Sequence, residues 1–423
     1  MLPFKKVRAG SLQFVLFVGA LIAVLLLSFV LLSHGHLLFQ KKTNRFIAMV
    51  AHNTNTLKNN LRQGAGSALG QRNTVEENTI TTVITNKVWG VFDLYTVRSS
   101  FQKQRFQTVA LVGHGIDENT PALYVAENQR PLVVTGKTKI EGKAILPEQG
   151  VRPGNISGNA YFGDRLIYGK VEKSRPGLPK MPTGITDNIR QLCAAFVPNS
   201  VQTLSGLAKN TEYTNSFLEP TLYVVGDAID LSAIRLTGNF VVMATREIRV
   251  DASSNLKDIV LAAPVISVQD NTIGRFQAIA SKRISVGKGC LLNYPSSLVV
   301  NEKSGSVQKQ LLDAAPLSIG PGSTVKGTVI YKGGSRERTF YPQVKVHQKA
   351  VVIGQLYCEK TLELKGEVVG SAYTNGFMAI ENGSIYQNHI YNATIQRAPL
   401  NAQFAGLGLE RYTTEKKVMT WLY

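Results

Sequence analysis

The sequence predicts a mainly β protein held by a single N-terminal transmembrane helix, with a small β region leading into a β-solenoid. Three observations carry that expectation. Residues 12–32 form an uncharged apolar run, β-branched and aromatic runs follow from residue 81, and two apolar triplets between residues 242 and 286 return every 18 residues.

The anchor reads LQFVLFVGALIAVLLLSFVLL, in which only Gln13 and Ser28 are clearly polar. About 20 such residues span the hydrocarbon core of a bilayer as a helix. The run is too long for the apolar core of a cleavable signal peptide, so an uncleaved anchor is expected over residues 11–33. A basic leader over residues 1–10 supplies Lys5, Lys6 and Arg8, and Lys41, Lys42 and Arg45 come after the helix. Positive charge therefore nearly balances across the span and does not orient it. Most of the mass lies after the helix, which points to an inner-membrane protein with its body on the periplasmic side.

Residues 34–63 continue the helix as an amphipathic extension. Phe39, Phe46, Val50, Leu57 and Leu61 recur at steps of seven and four, the spacing of one apolar stripe. The stretch Gly64-Ala65-Gly66 is the expected stop. A basic leader, a small-residue junction at Gly10-Ser11, a long apolar helix and an amphipathic extension together resemble the start of a type IV pilin or pseudopilin. In that family a glutamate usually sits five residues into the mature helix, where this chain has Val15. The resemblance implies an assembly subunit, processed after Gly10 and incorporated into a filament.

Residues 64–80 are small and polar and read as a linker. A small β subdomain is expected over residues 81–171, from the runs 81–84, 88–97 and 106–112. Trp89 fits the core of such a sheet. Within it, Ile140-Glu141-Gly142-Lys143-Ala144 and Ile156-Ser157-Gly158-Asn159-Ala160 share one pattern of apolar, polar, glycine, polar and small apolar residues. Residues 172–200 hold a proline-rich linker and a short helix expected at 186–197, capped by Thr186 or Asp187.

The solenoid is expected over residues 201–398. Val242-Met243-Ala244 aligns with Val260-Leu261-Ala262 and Ala278-Ile279-Ala280, and Ile248-Arg249-Val250 with Ile266-Ser267-Val268 and Ile284-Ser285-Val286. Two triplets holding one register predict stacked coils of short strands whose alternate side chains point inward. No coil buries its apolar face alone, so stacking supplies the core. Insertions interrupt the pattern at residues 302–315 and 332–342. Eighteen residues is also three hexapeptides, the unit of left-handed acyltransferase helices. The glycines expected of that scheme are mostly missing, which favours a right-handed β-helix.

Within residues 351–395, the steps Gly354-Gln355-Leu356 and LKGEVVGSAYT and the turn Gly383-Ser384-Ile385-Tyr386 resemble the bactofilin-type polymer-forming β-helix. That resemblance implies a rigid scaffold with end-to-end or lateral association. Residues 399–423 read as a C-terminal cap or tail that blocks such stacking.

The formal charge of +19 favours anionic neighbours. Arg246, Arg249, Lys282 and Arg283 are the expected contacts with an anionic surface. No RNA-binding signature, zinc finger or recognition-helix pattern points to nucleic acid. The cysteines, Cys193, Cys290 and Cys358, form no CxxC pair. No carboxylate ladder accompanies the repeat: Asp251 aligns with Gln269 and Gly287, and Asp270 with Ala252 and Lys288. His347 and His389 lack a partner motif. The sequence therefore predicts no catalytic residues, metal or cofactor, in contrast to a polysaccharide-active enzyme on a β-helix. It predicts a membrane-anchored structural protein of the bacterial cell envelope. The expected partners are the lipid bilayer, and beyond it envelope proteins, further copies of the chain or anionic polysaccharide.

Overall fold

The computed structural model describes residues 10–62, 72–77, 79–117, 119–194, 202–204, 206–302, 315–333, 341–397, 400–412 and 415–423. It is mainly β, with one long apolar N-terminal helix and a closed, barrel-like parallel sheet.

Helix α1 runs unbroken over Gly10–Arg62. Its leucine-rich first half has no charged side chain to interrupt it, and one window is long and apolar enough to cross a membrane. No described residue before Met49 is buried in the chain. The expected apolar stripe divides accordingly: Leu57 and Leu61 are buried, whereas Phe39 is 70% exposed and Phe46 42%. The cause is contact, since the sheet reaches α1 only from about Arg45 onward, and Phe46 meets no more than its margin, edge-on at Phe106.

That sheet is an antiparallel meander of β1 (Arg72–Glu77), β2 (Ile80–Trp89), β3 (Phe92–Phe101) and β4 (Gln104–Gly115). Strand β1 occupies part of the stretch expected as linker, and it pairs with β2 from Arg72↔Thr85 to Glu77↔Ile80. Period-two alternation gives the sheet two apolar faces. Ile84, Tyr95, Val97, Ala110 and Val112 pack on Leu57 and Leu61 of α1. Trp89, Phe92, Leu94, Val109 and Leu111 face the other way, onto the parallel sheet. Within the expected C-terminal cap or tail, the last strand, Lys416–Leu422, pairs antiparallel with β4 and adds to this sheet.

Along the run of the parallel sheet through its repeat, strands pair with the equivalent stretch of the next repeat, and with one further along the chain where insertions intervene, as at Ile284↔Leu317. Ile248, Ile266, Ile284, Leu317, Val344 and Leu362 form one continuous ladder. Val250, Val268, Val286, Ile319, Val346 and Leu364 form the next. Both ladders are buried in one apolar core. The first triplet behaves differently from its sequence alignment. Val242 pairs with Leu261, and Leu261 with Ala278, so the expected partner Val260 is displaced by one and faces outward. Register slips around residue 258 cause this: Lys257 pairs with Arg275 but Ile259 with Phe276, leaving Asp258 without an opposite number. Asp258 adopts φ of 61° there.

The strands expected in residues 81–171 are shared between both sheets. Leu123 pairs with Ala372 and Ala144 with Leu123, and Val171 pairs with Ala144. Ile140 pairs with Ile395. Residues 123–173 thus continue the parallel sheet beyond its C-terminal strands, in keeping with the glycine pattern at Ile140.

Helix α2 (Thr183–Cys193) begins three residues before the expected start, behind Pro182 and without a side-chain cap. Thr186 and Asp187 consequently lie inside the helix rather than at its cap. Ile185 and Ile189 of α2 join the layer between the two sheets. The order of layers is then α1, antiparallel sheet and parallel sheet. The insertions expected at residues 302–315 and 332–342 lie for the most part outside the described residues.

Candidate functional site

The docked end of α1 is held by one buried amide. The Asn53 Nδ2 donates to the Val97 carbonyl at 3.1 Å and to Ser99 Oγ at 3.0 Å. Its Oδ1 accepts from Thr108 Oγ1 at 2.7 Å. Asn53 is fully buried. Such a residue fixes where the helix sits on the sheet, because any slide leaves these groups unpaired. The exposed remainder of α1 therefore leaves the body in a set direction. It is neither part of the core nor covered by any other described element.

A second polar device joins the sheets. Gln277, Ser297, Thr328, Gln355 and Ser371 occupy successive rungs on the covered outer face of the parallel sheet. All are buried. Gln277 bonds to the backbone on both sides of Gly90, and Gln355 accepts from the Leu407 N–H at 2.6 Å. The docked helix, its sheet and the parallel body are thereby connected through the buried amides of Asn53, Gln277 and Gln355 as well as through apolar contact.

The four basic residues expected to meet an anion lie on two strands of the parallel sheet, Phe240–Val250 and Ile273–Val286, with the strand Asn255–Val268 between them. Arg246 and Lys282 stand at register slips, and Arg249 and Arg283 on the paired segments just beyond them. Acidic side chains interleave with them. Arg246 pairs with Asp227 at 3.0 Å, Arg249 is level with Asp230, and Glu247 shares a ladder with Arg283 through Val265. Arg246 and Asp227 are each about two-thirds exposed, 66% and 67%, so solvent screens that pair.

A corner that the repeat does not reveal gathers more titratable groups. Tyr331 donates to the Glu302 carboxylate, and Lys332 lies 3.7 Å from Glu359. The Gly333 N–H donates to Glu359 at 3.2 Å, and the Tyr357 hydroxyl to it at 3.4 Å. Burial pushes the Glu359 carboxyl up, partly offset by Lys332. The register explains why these residues escape an 18-residue search. Val300 pairs with Tyr331, and Tyr331 with Cys358, steps stretched by the insertions. The signal that could have found them is an acidic residue at the start of an insertion, as at Glu302. Every carboxylate here already has a partner, so the corner reads as an ionic clasp. Among the described residues no group of three or more side chains is placed to hold a metal ion. Cys290 and Cys358 are buried free thiols, and burial pushes the Cys358 thiol up to about 12.

No known protein family, curated protein or solved structure matches the chain.

Proposed function

We propose that this chain is a membrane-tethered scaffold of the bacterial cell envelope. Helix α1 crosses the bilayer and the parallel sheet, read as a right-handed β-solenoid, forms the stiff body. The single observation that carries the reading is the division of α1. Its N-terminal part, as far as Asn44, is mostly apolar and uncovered, while the turns from Arg45 onward rest on a sheet. An apolar helix of that length is costly to leave in water, and a bilayer is the surroundings its composition fits. Stacked parallel strands resist bending because each coil is hydrogen-bonded to two neighbours. The bactofilin-like steps between residues 351 and 395 support the same role. The mass distribution after the helix supports the inner membrane and the periplasmic face.

The test is expression in a bacterial host. After fractionation, the chain should stay with membranes through an alkaline carbonate wash. Protease added to spheroplasts should then remove the body and leave a fragment of the helix. Release by carbonate, or protection of the body in intact spheroplasts, would overturn the anchor or the orientation respectively.

A second reading is favoured by one observation: the antiparallel sheet packs on the C-terminal part of α1 alone. That is the division of labour the pilin-like start implies, a helix that leaves the membrane to assemble with others. Mass spectrometry of the mature N-terminus separates the two. A chain beginning at Ser11 supports a processed, assembling subunit, and an intact leader supports a permanent anchor.

A further inference from the structure

The end of the antiparallel sheet nearest the exposed part of α1 carries a distinct surface. The β3–β4 turn reads Phe101-Gln102-Lys103-Gln104-Arg105-Phe106. Its two ends touch the helix: Arg45 lies over the Phe101 ring at 5.5 Å, and the Phe46 and Phe106 rings meet edge-on at 5.7 Å. Lys103 and Arg105 are exposed, as are Lys41, Lys42 and Arg45 on the helix and Arg98 on β3. The acidic positions at the same end of the sheet, Glu76 and Glu77, are at the far edge on β1. The hairpin is thus a basic, aromatic-flanked tip fixed beside the point where α1 first becomes charged.

Length places that point. The uncharged stretch from Gly10 to Gln40 is about 46 Å long at ~1.5 Å per residue. A bilayer including its headgroups is about 40–45 Å thick. Lys41 therefore emerges at the headgroup surface, and Arg45, with the hairpin packed on it, stands only about 6 Å further along the axis. That separation is within the ~8 Å Debye length at physiological salt.

We propose that the β3–β4 tip is a docking surface for anionic phospholipid headgroups, with Lys103 and Arg105 as its contacts beside Lys41, Lys42 and Arg45. The inference rests on the anchored reading of α1 and goes beyond it. The body is held against the membrane at a second place and cannot swing freely about the helix. Flanking aromatics suit the interfacial zone, where amphipathic rings collect, and basic residues near an anionic leaflet are attracted individually and add together.

Hydrogen exchange of the full chain tests it, in nanodiscs of phosphatidylglycerol and of phosphatidylcholine. The peptide covering the β3–β4 turn should exchange about tenfold more slowly in phosphatidylglycerol. The protection should vanish in about 0.5 M salt, where screening shortens to a few ångström, and in the surface variant K103E/R105E. Equal exchange in both lipids overturns the proposal. Protection that survives both salt and charge reversal also overturns it, and points to a protein contact. Failure of the chain to enter either nanodisc removes the anchored reading itself, an outcome distinct from entry without lipid-dependent protection.

Discussion

Gln277 and Gly90 are locked together across the seam between the two sheets. The Gln277 carboxamide accepts from the Val91 N–H at 2.8 Å and donates to the Trp89 carbonyl at 3.1 Å, so it pairs with the turn as a neighbouring strand would. Gly90 has φ of 63°, and a Cβ there would stand 2.0 Å from Gln277 Oε1. The absence of a side chain at 90 is what lets the amide approach. Q277A leaves a buried donor and acceptor unpaired, a loss of about 1–3 kcal/mol. G90A meets both the amide and an unfavourable dihedral, and should cost at least as much. Thermal unfolding of each variant in detergent, monitored by tryptophan fluorescence, checks both. The double variant should fall short of the sum, because both changes break one contact.

The inward ladders predict a sharp contrast between adjacent residues. Ile266 is fully buried between Ile248 and Ile284, whereas Ser267 beside it faces outward. I266A should destabilise by about 2–5 kcal/mol, through lost burial and the cavity left behind. S267A should change stability by less than about 0.5 kcal/mol. Denaturant midpoints of the two variants give the comparison, and equal effects would contradict the assigned facing.

Asn53 predicts a local effect on the helix. In N53A the Val97 carbonyl and Thr108 lose the Asn53 amide as a partner, and Ser99 Oγ is left with its contact with Thr82 Oγ1. Hydrogen exchange should accelerate over residues 49–62 and remain unchanged over residues 12–32, which do not touch the sheet. Uniform acceleration along α1 would show that the docked turns and the exposed run behave as one unit.

Lys416 links stability to alkaline pH. Burial alone lowers its pKa, but the Asp93 carboxylate at 2.7 Å and the Tyr95 hydroxyl at 3.1 Å outweigh that, so the net shift is upward. A raised folded-state pKa contributes stability below the unfolded value, near 10.4 for lysine, and that contribution fades as pH rises through the folded one. The stability difference between the native chain and K416M should therefore be constant from pH 6 to about 9 and narrow above about 10.5. A difference that stays constant through pH 11 would exclude the linkage.

Local features were readable where local physics decides them. An uncharged apolar run of sufficient length forms a helix whatever surrounds it, and α1 covers residues 12–32 and the extension to Arg62. Ile248, Ile266 and Ile284 align in the chain and stack in space because the same inward position recurs in each successive strand. Val242, Val260 and Ala278 align equally well and do not stack, since the slips around Asp258 hand the inward position to Leu261. A bulge costs one residue of register without disturbing the apolar composition, so composition does not report it.

The corner at Glu302 and Glu359 was hidden for a related reason. Its residues are adjacent only because insertions of unequal length return to the same rung. Strand pairing between distant segments depends on which edges are free once the rest has folded. That is how Leu123 comes to pair with Ala372, and Val418 with Val112. An apolar helix, an apolar repeat and an excess of positive charge are legible along the chain, because each is a property of near neighbours in it. That the strand Lys416–Leu422 joins the sheet on which α1 rests, and that this sheet links helix to body, follows from contacts between distant segments. Hydrogen bonds across the seam, as between Gln277 and Val91, are set by backbone positions that no local pattern encodes.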